Sequence, residues 1–272
     1  MPIAIQENLL PGDTIHEKFE NARHLRLDGI ELHGDSDFAQ QVPLIAAALA
    51  ETNLRAAAVN LGKTQLIHPD FSLREAAIVR VRKAMGSAID LGAQGVIFMG
   101  HYAPDPVLPN LYPYKSAEEL EANMLLTQLR GTLCDLAYAM GTQLLLAHAD
   151  HKETHLLSHL DRASVIRKKT DDHPHLKIAT NLRYIATEAA DLMPVLSRNL
   201  ANVGYIHLND SGGVLPGQGQ IDYAALAETL SQDAYSGWLS LAHPQGFAGD
   251  SQPLPMDDLA ASLDTLRRAG IN

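Results

Sequence analysis

The stretch "GYIHLNDSGGVLPGQGQIDYAALAETL", residues 204–230, passes from a five-residue apolar run (204–208) through a Gly-bearing loop into a helical pattern. Seven other runs of strand length stand upstream and downstream of it: "IAI" (3–5), "GIELH" (29–33), "RAAAVNL" (55–61), "GVIFMG" (95–100), "TQLLLA" (142–147), "LKIATN" (176–181) and "WLSLA" (238–242). Each is followed by a helical pattern, so the chain reads as strand and helix in strict alternation. Such alternation implies a parallel sheet, because every crossover helix returns the chain to the same end. The chain has 272 residues, and eight units in a length near the ~250 residues typical of a closed barrel favour a (β/α)₈ fold, one domain over 1–272. A doubly wound sheet is the alternative. It lacks support, because no G-x-G-x-x-G turn follows the first strand.

Composition narrows the function. With 46% hydrophobic and 19% charged residues the chain can bury a large core. A net charge of -11 argues against a nucleic-acid partner, which would demand clustered Lys and Arg. Cys134 is the one cysteine, which excludes an internal disulfide and a Cys-rich zinc site, and it reads as a core residue. No run of 18 apolar residues occurs, and "MPIAIQENLLPGD" has no leader pattern, so a cytoplasmic protein without a membrane partner is expected. Helix starts are predicted at Ser72 with Glu75 and at Ser116 with Glu119, two capping boxes. "HKETHLLSH" places His151, His155 and His159 at four-residue spacing, as on one helix face.

Active sites of such barrels lie at the C-terminal ends of the strands. Five histidines fall there, His33, His101, His148, His207 and His243, joined by Glu31, Asn60 and Asn181. The connection "HYAPDPVLPNLYPYK" (101–115), with four Pro and three Tyr, leaves strand four at the same end and reads as a lid.

The segments "LDGIELHG", "REAAIVRVRKAMGSAIDLGAQGVI", "HKETHLLSHLDRA", "VGYIHLNDSGGVLPGQGQIDYAALAETL" and "GWLSL" resemble the xylose-isomerase-like TIM barrels, sugar isomerases and epimerases such as tagatose 3-epimerase and hydroxypyruvate isomerase. The resemblance covers nearly the whole chain, and "HLND", "PGQGQIDY" and "GWLSL" are its most specific part. It implies a divalent metal held by Glu, Asp, His and Glu at the ends of strands five to eight, the two glutamates also moving the substrate proton. Carried onto this chain, those positions are Ala147, Asn181, His207 and Ala242. A second family Glu is matched by Glu153, a family His by Tyr184, and a substrate-contacting Arg by Gly213.

A hard cation wants anionic oxygens, and this set offers an amide, an imidazole and two methyl groups. The expectation is no cofactor or a weakly bound divalent metal, either manganese at His207 and Asn181 or zinc on converging imidazoles. Because side chains alternate along a strand, inward-facing Ala147 and Ala242 would turn His148 and His243 outward. The expected catalytic residues are His207, Glu153 and His101, with His207 the most natural base; Glu31, Tyr102 and Tyr184 are further candidates. The expected substrate contacts are Glu31, Asn60, Asn181, Tyr102, His148 and His243. The functional expectation is a sugar isomerase or epimerase, or a related lyase, acting on a small carbohydrate or polyol with a degenerate metal site. The alternatives are an inactive sugar- or partner-binding barrel, and an active isomerase whose acidic ligands were substituted. Homo-oligomers are common among the relatives the chain resembles.

Overall fold

The computed structural model describes residues 1–100, 112–244 and 252–272. Eight parallel strands close in sequence order: β1 (Ile3–Gln6), β2 (Gly29–His33), β3 (Arg55–Lys63), β4 (Gly95–Met99), β5 (Gln143–Ala147), β6 (Leu176–Asn181), β7 (Val203–Leu208) and β8 (Trp238–Leu241). Around them run α1 (Ile15–His24), α2 (Phe38–Thr52), α3 (Phe71–Asp90), α4 (Ala117–Gln128), α5 (Cys134–Met140), α6 (Leu160–Lys169), α7 (Leu182–Glu188), α8 (Leu192–Asn199), α9 (Tyr223–Gln232) and α10 (Met256–Arg268). Among the described residues the β4 and β6 crossovers each carry two helices, so ten accompany the eight strands. Among the described residues no helix is long and apolar enough to cross a membrane.

Period-two alternation sorts the strand side chains into two cores. Leu144 and Leu146, Ile206 and Leu208, and Leu239 and Leu241 face the helices and pack in one large cluster with residues such as Phe19, Met85 and Leu263. Their neighbours Leu145, Ala147, Ala179, Tyr205 and Trp238 form a second cluster with Ala4, Ala58 and Ile97, which fills the barrel lumen. The lumen is built mainly from alanine, so its bulk comes from Tyr205 and Trp238, and polar side chains complete it toward the C-terminal end. Cys134 is buried in the outer core, where burial and then Asp135 push its thiol up to about 11, leaving it unreactive.

Local signals differ from the sequence in three places. The side chain of Asp70, not Ser72, caps α3 by accepting from the Ser72 N–H at 2.8 Å, and Ser72 lies inside the helix. Ser116 caps α4 as predicted, but the Glu119 carboxylate reaches back to the Lys115 N–H at 2.7 Å, not to the cap residue itself. The full capping box is at Thr14 and Glu17. The segment "HKETHLLSH" is an irregular loop and not a helix, with α6 beginning only at Leu160. Its backbone is claimed by a competing partner: the buried Glu121 carboxylate of α4 accepts from Thr154 Oγ1 and from the N–H groups of His155 and Leu156. The predicted lid lies mostly in 101–111, outside the described residues.

Candidate active site

At the C-terminal end of the lumen a carboxylate from β2 gathers four strands. Glu31, 1% exposed, accepts from Gln6 Nε2 (2.9 Å) and Asn60 Nδ2 (2.7 Å) through Oε1, and from the Tyr205 hydroxyl (3.0 Å) through Oε2. His207 Nε2 lies 3.0 and 2.9 Å from its two oxygens. Burial pushes the Glu31 pKa up, but the charge of His207 and the hydrogen bonds from His207, Asn60 and Gln6 outweigh it and hold the carboxyl at about 2. An ionised carboxylate only accepts, so Nε2 is the nitrogen that carries the proton. Nδ1 has no partner among the described residues, and His207 lines the small cavity at the mouth. Burial, then the Glu31 charge, raises the Tyr205 pKa, keeping it a neutral donor.

That cavity is about 30 Å³, roughly the room of one water. Its walls include Ala147, Asn181, Tyr184, His207, Ala242 and His243. The two alanines face it, as strand alternation requires. Asn181 is already committed on both amide atoms: Oδ1 caps α7 through the Arg183 N–H (3.0 Å), and Nδ2 donates to Asn209 Oδ1 (2.7 Å). Asn209 in turn donates to the Ala242 carbonyl at 2.8 Å, linking β6, β7 and the end of β8. The Tyr184 hydroxyl, in contrast, has no hydrogen-bond partner among the described residues. Burial, followed by the charge of Glu153, raises its pKa above the usual phenol value.

The remaining predicted residues take different places. Asn60 belongs to the Glu31 cluster, and its Oδ1 also accepts from the N–H of Gly62, whose φ of 60° suits glycine. His148 borders the cavity, yet both ring nitrogens are engaged outside the lumen, Nδ1 with Thr180 Oγ1 (3.1 Å) and Nε2 with the Ser158 carbonyl (3.0 Å). His243 borders it as well, its backbone N–H held by Gln6 Oε1 at 2.8 Å, and burial lowers its pKa. Glu153 sits at the rim in an ion pair with Lys63, 2.8 Å away. His101 and Tyr102 lie outside the described residues. Among the described residues no group of three or more His, Cys, Asp or Glu is arranged to hold a metal ion.

Three contributors escape the sequence reading. Gln6 follows a strand read as ending at Ile5, and Tyr205 stands two residues before His207 and therefore on the same strand face. The third is Arg183, whose guanidinium fills the space beside Gly213: a Cβ at 213 would stand 3.3 Å from Arg183 Cζ. It donates to the Pro244 carbonyl at 2.9 Å and lies 5.7 Å from the Tyr184 ring. The motif-rich loop after β7 is also explained. The carboxylate of Asp210 is fully buried and accepts from the N–H groups of Ser211, Gly217 and Ile221, while Gly219 is so close that a Cβ would collide with it at 2.4 Å.

A family model described as xylose isomerase-like TIM barrel matches residues 19–269. The chain belongs to that family. It is 24% identical over 242 residues to the 3-dehydro-D-guloside 4-epimerase of Escherichia coli (strain K12), covering 88% of this chain and 90% of the relative. Two solved structures share the fold over 100% of both chains: an E. coli 3-keto-D-glucoside 4-epimerase in its apo form (TM-score 0.83, 20% identity) and a D-psicose 3-epimerase crystallised in the presence of D-fructose (TM-score 0.82, 14% identity). Alanines stand at 147 and 242 of this chain.

Proposed function

We propose that the chain is a sugar isomerase or epimerase that moves a proton on a small ketose-like carbohydrate with the Glu31–His207 pair and without the divalent metal its family resemblance implies. The observation that carries this reading is the hydrogen bonding of His207, a residue that lines the cavity: Glu31 holds Nε2–H and Nδ1 has no partner among the described residues. The donor set does not suit a hard cation. Ala147 and Ala242 offer no side-chain oxygen, Asn181 offers only a neutral amide already hydrogen-bonded at Oδ1 and Nδ2, and the Glu31 carboxylate accepts from four donors. No step is therefore routed through a metal.

In this reading Nδ1 of His207 takes the proton from the carbon beside a carbonyl. The C–H electron pair becomes the C=C bond of an enediolate, and the former carbonyl oxygen receives a hydrogen bond from the Tyr184 hydroxyl, which its buried setting keeps protonated. Glu31 stabilises the imidazolium that forms. Return of the proton to the neighbouring carbon, with that carbon's hydroxyl proton passing to the former carbonyl oxygen, gives the isomer; delivery of a solvent proton to the opposite face of the first carbon, with His207 then releasing its own proton to solvent, gives the epimer. The sugar-epimerase names of the relatives support this substrate class.

Solvent exchange tests it. Metal-stripped protein in deuterated water should exchange the α-proton of at least one of D-fructose, D-psicose, D-tagatose or L-ribulose, followed by proton NMR. His207→Ala should slow that exchange by about 10²–10⁴-fold. Absence of exchange in the wild type, with or without added manganese, magnesium or zinc, would sink the proposal. The second reading, a binding barrel without turnover, is favoured by the small cavity and the paired methyl groups; saturable ketose binding with no exchange would establish it.

A further inference from the structure

A larger cavity than the one at the mouth lies at the opposite end of the barrel. It measures about 520 Å³ and is lined by Arg55, Gln94, Gln143, Lys177, Tyr235 and Trp238 among others. Four of these stand at or just before strand starts: Arg55 opens β3, Gln94 precedes β4, Gln143 opens β5 and Trp238 opens β8. The floor is shaped by close approaches that exclude a Cβ. At Gly29 one would meet the Arg55 carbonyl at 2.5 Å and the Trp238 ring at 2.7 Å, and at Gly204 it would meet Lys177 Cβ at 2.9 Å. The indole thereby closes the lumen, and the Lys177 stem is laid across the first residues of β7.

Donors with unused N–H groups predominate among the polar side chains here. The Arg55 guanidinium lies 4.5 Å above the Trp238 ring and has no hydrogen bond or ion pair among the described residues, so its five N–H donors are free at the edge of a stacked plane. Lys177 donates one N–H to the Ala201 carbonyl at 2.8 Å and keeps two. Gln94 Nε2 donates to both Gln143 Oε1 and the Gly204 carbonyl (3.1 Å each), which fixes the Gln143 amide with its NH₂ unpartnered among the described residues. Asp233 is the one carboxylate in the lining, and it accepts from Ser197 Oγ at 2.8 Å. Burial, then the nearby Arg167, lowers the Lys177 pKa, partly offset by Asp172.

We infer that this floor cavity binds the phosphate group of a small phosphorylated metabolite, with Arg55 and Lys177 as its charge partners and the Gln143 amide as a third donor. Two cations match a phosphate monoester dianion, a guanidinium fork suits tetrahedral oxyanions, and the volume falls within the ~300–1,000 Å³ of small-molecule sites. The inference is independent of the proton-transfer reading at the mouth.

Trp238 is the only tryptophan in the chain, so tryptophan fluorescence reports on this end of the barrel. Titration with inorganic phosphate, glucose 6-phosphate and glucose at low salt, followed by fluorescence and calorimetry, should show saturable binding of the two phosphates and none of glucose. Glucose 6-phosphate binding tighter than inorganic phosphate identifies a phosphorylated metabolite as the occupant, and the reverse order overturns that assignment. Arg55→Gln and Lys177→Gln should each weaken binding about tenfold or more, while His207→Ala at the mouth leaves it unchanged. Should Arg55→Gln fail to fold, Lys177→Gln decides alone. No saturation up to about 10 mM, or wild-type affinity in the folded variants, overturns the inference.

Discussion

The two walls of the barrel mouth are built on opposite principles. Around Glu31 of β2, a buried carboxylate is saturated by Gln6, Asn60, Tyr205 and His207, four donors from three strands, β1, β3 and β7. At the ends of β5 and β8, the inward positions are Ala147 and Ala242, which ask nothing of their neighbours. The difference shows which part of a catalytic mouth is also part of the fold. Polar groups in a low-dielectric lumen stabilise only when all are paired, so the Glu31 cluster resists piecemeal loss, whereas a methyl-lined wall can change without disturbing it.

The largest test of this contrast is removal of the hub. Glu31→Ala strands three polar partners and an imidazole in the lumen and should cost about 3–5 kcal/mol in chemical denaturation; a loss below about 1 kcal/mol would show that the cluster is not structural. Next is pH. The Glu31 pKa is held at about 2, below its unfolded value, so its contribution is fully present above the ordinary carboxylate range and is lost as pH falls through that range toward 2. The thermal midpoint should fall over this interval in the wild type, and this component of the fall should be missing in Glu31→Gln. The smallest effect belongs to the other wall: Ala147→Ser places one hydroxyl beside a cavity of about 30 Å³ and should shift stability by less than about 1 kcal/mol. A cost equal to that of Glu31→Ala would erase the distinction between the walls.

Much of this was legible in one dimension. All eight strands follow from apolar runs and period-two alternation, with ends displaced by one or two residues, and alternation alone places Ala147 and Ala242 inward with His148 turned away. What the sequence hid depends on register between distant strands. Gln6 is 25 residues from its partner Glu31, and His207 is 176 residues from it; no local pattern pairs them. Arg183 filling the space beside Gly213 is hidden for the same reason, since the two positions meet only through the β6–β7 neighbourhood. The histidine spacing in "HKETHLLSH" suggested a helix face because the sequence does not show that Glu121 takes the backbone N–H groups.

The central claim is that His207 is turned by Glu31 to present Nδ1 as a base, not as a metal ligand. Nitrogen-15 NMR of histidine-labelled, metal-stripped protein measures this without a substrate, with His207→Gln to assign the signal. The account predicts that the neutral imidazole of His207 is protonated on Nε2, with Nδ1 bare, and that added magnesium or zinc leaves both resonances where they are. A proton on Nδ1, or a displacement of the Nδ1 signal on adding either ion, would contradict it.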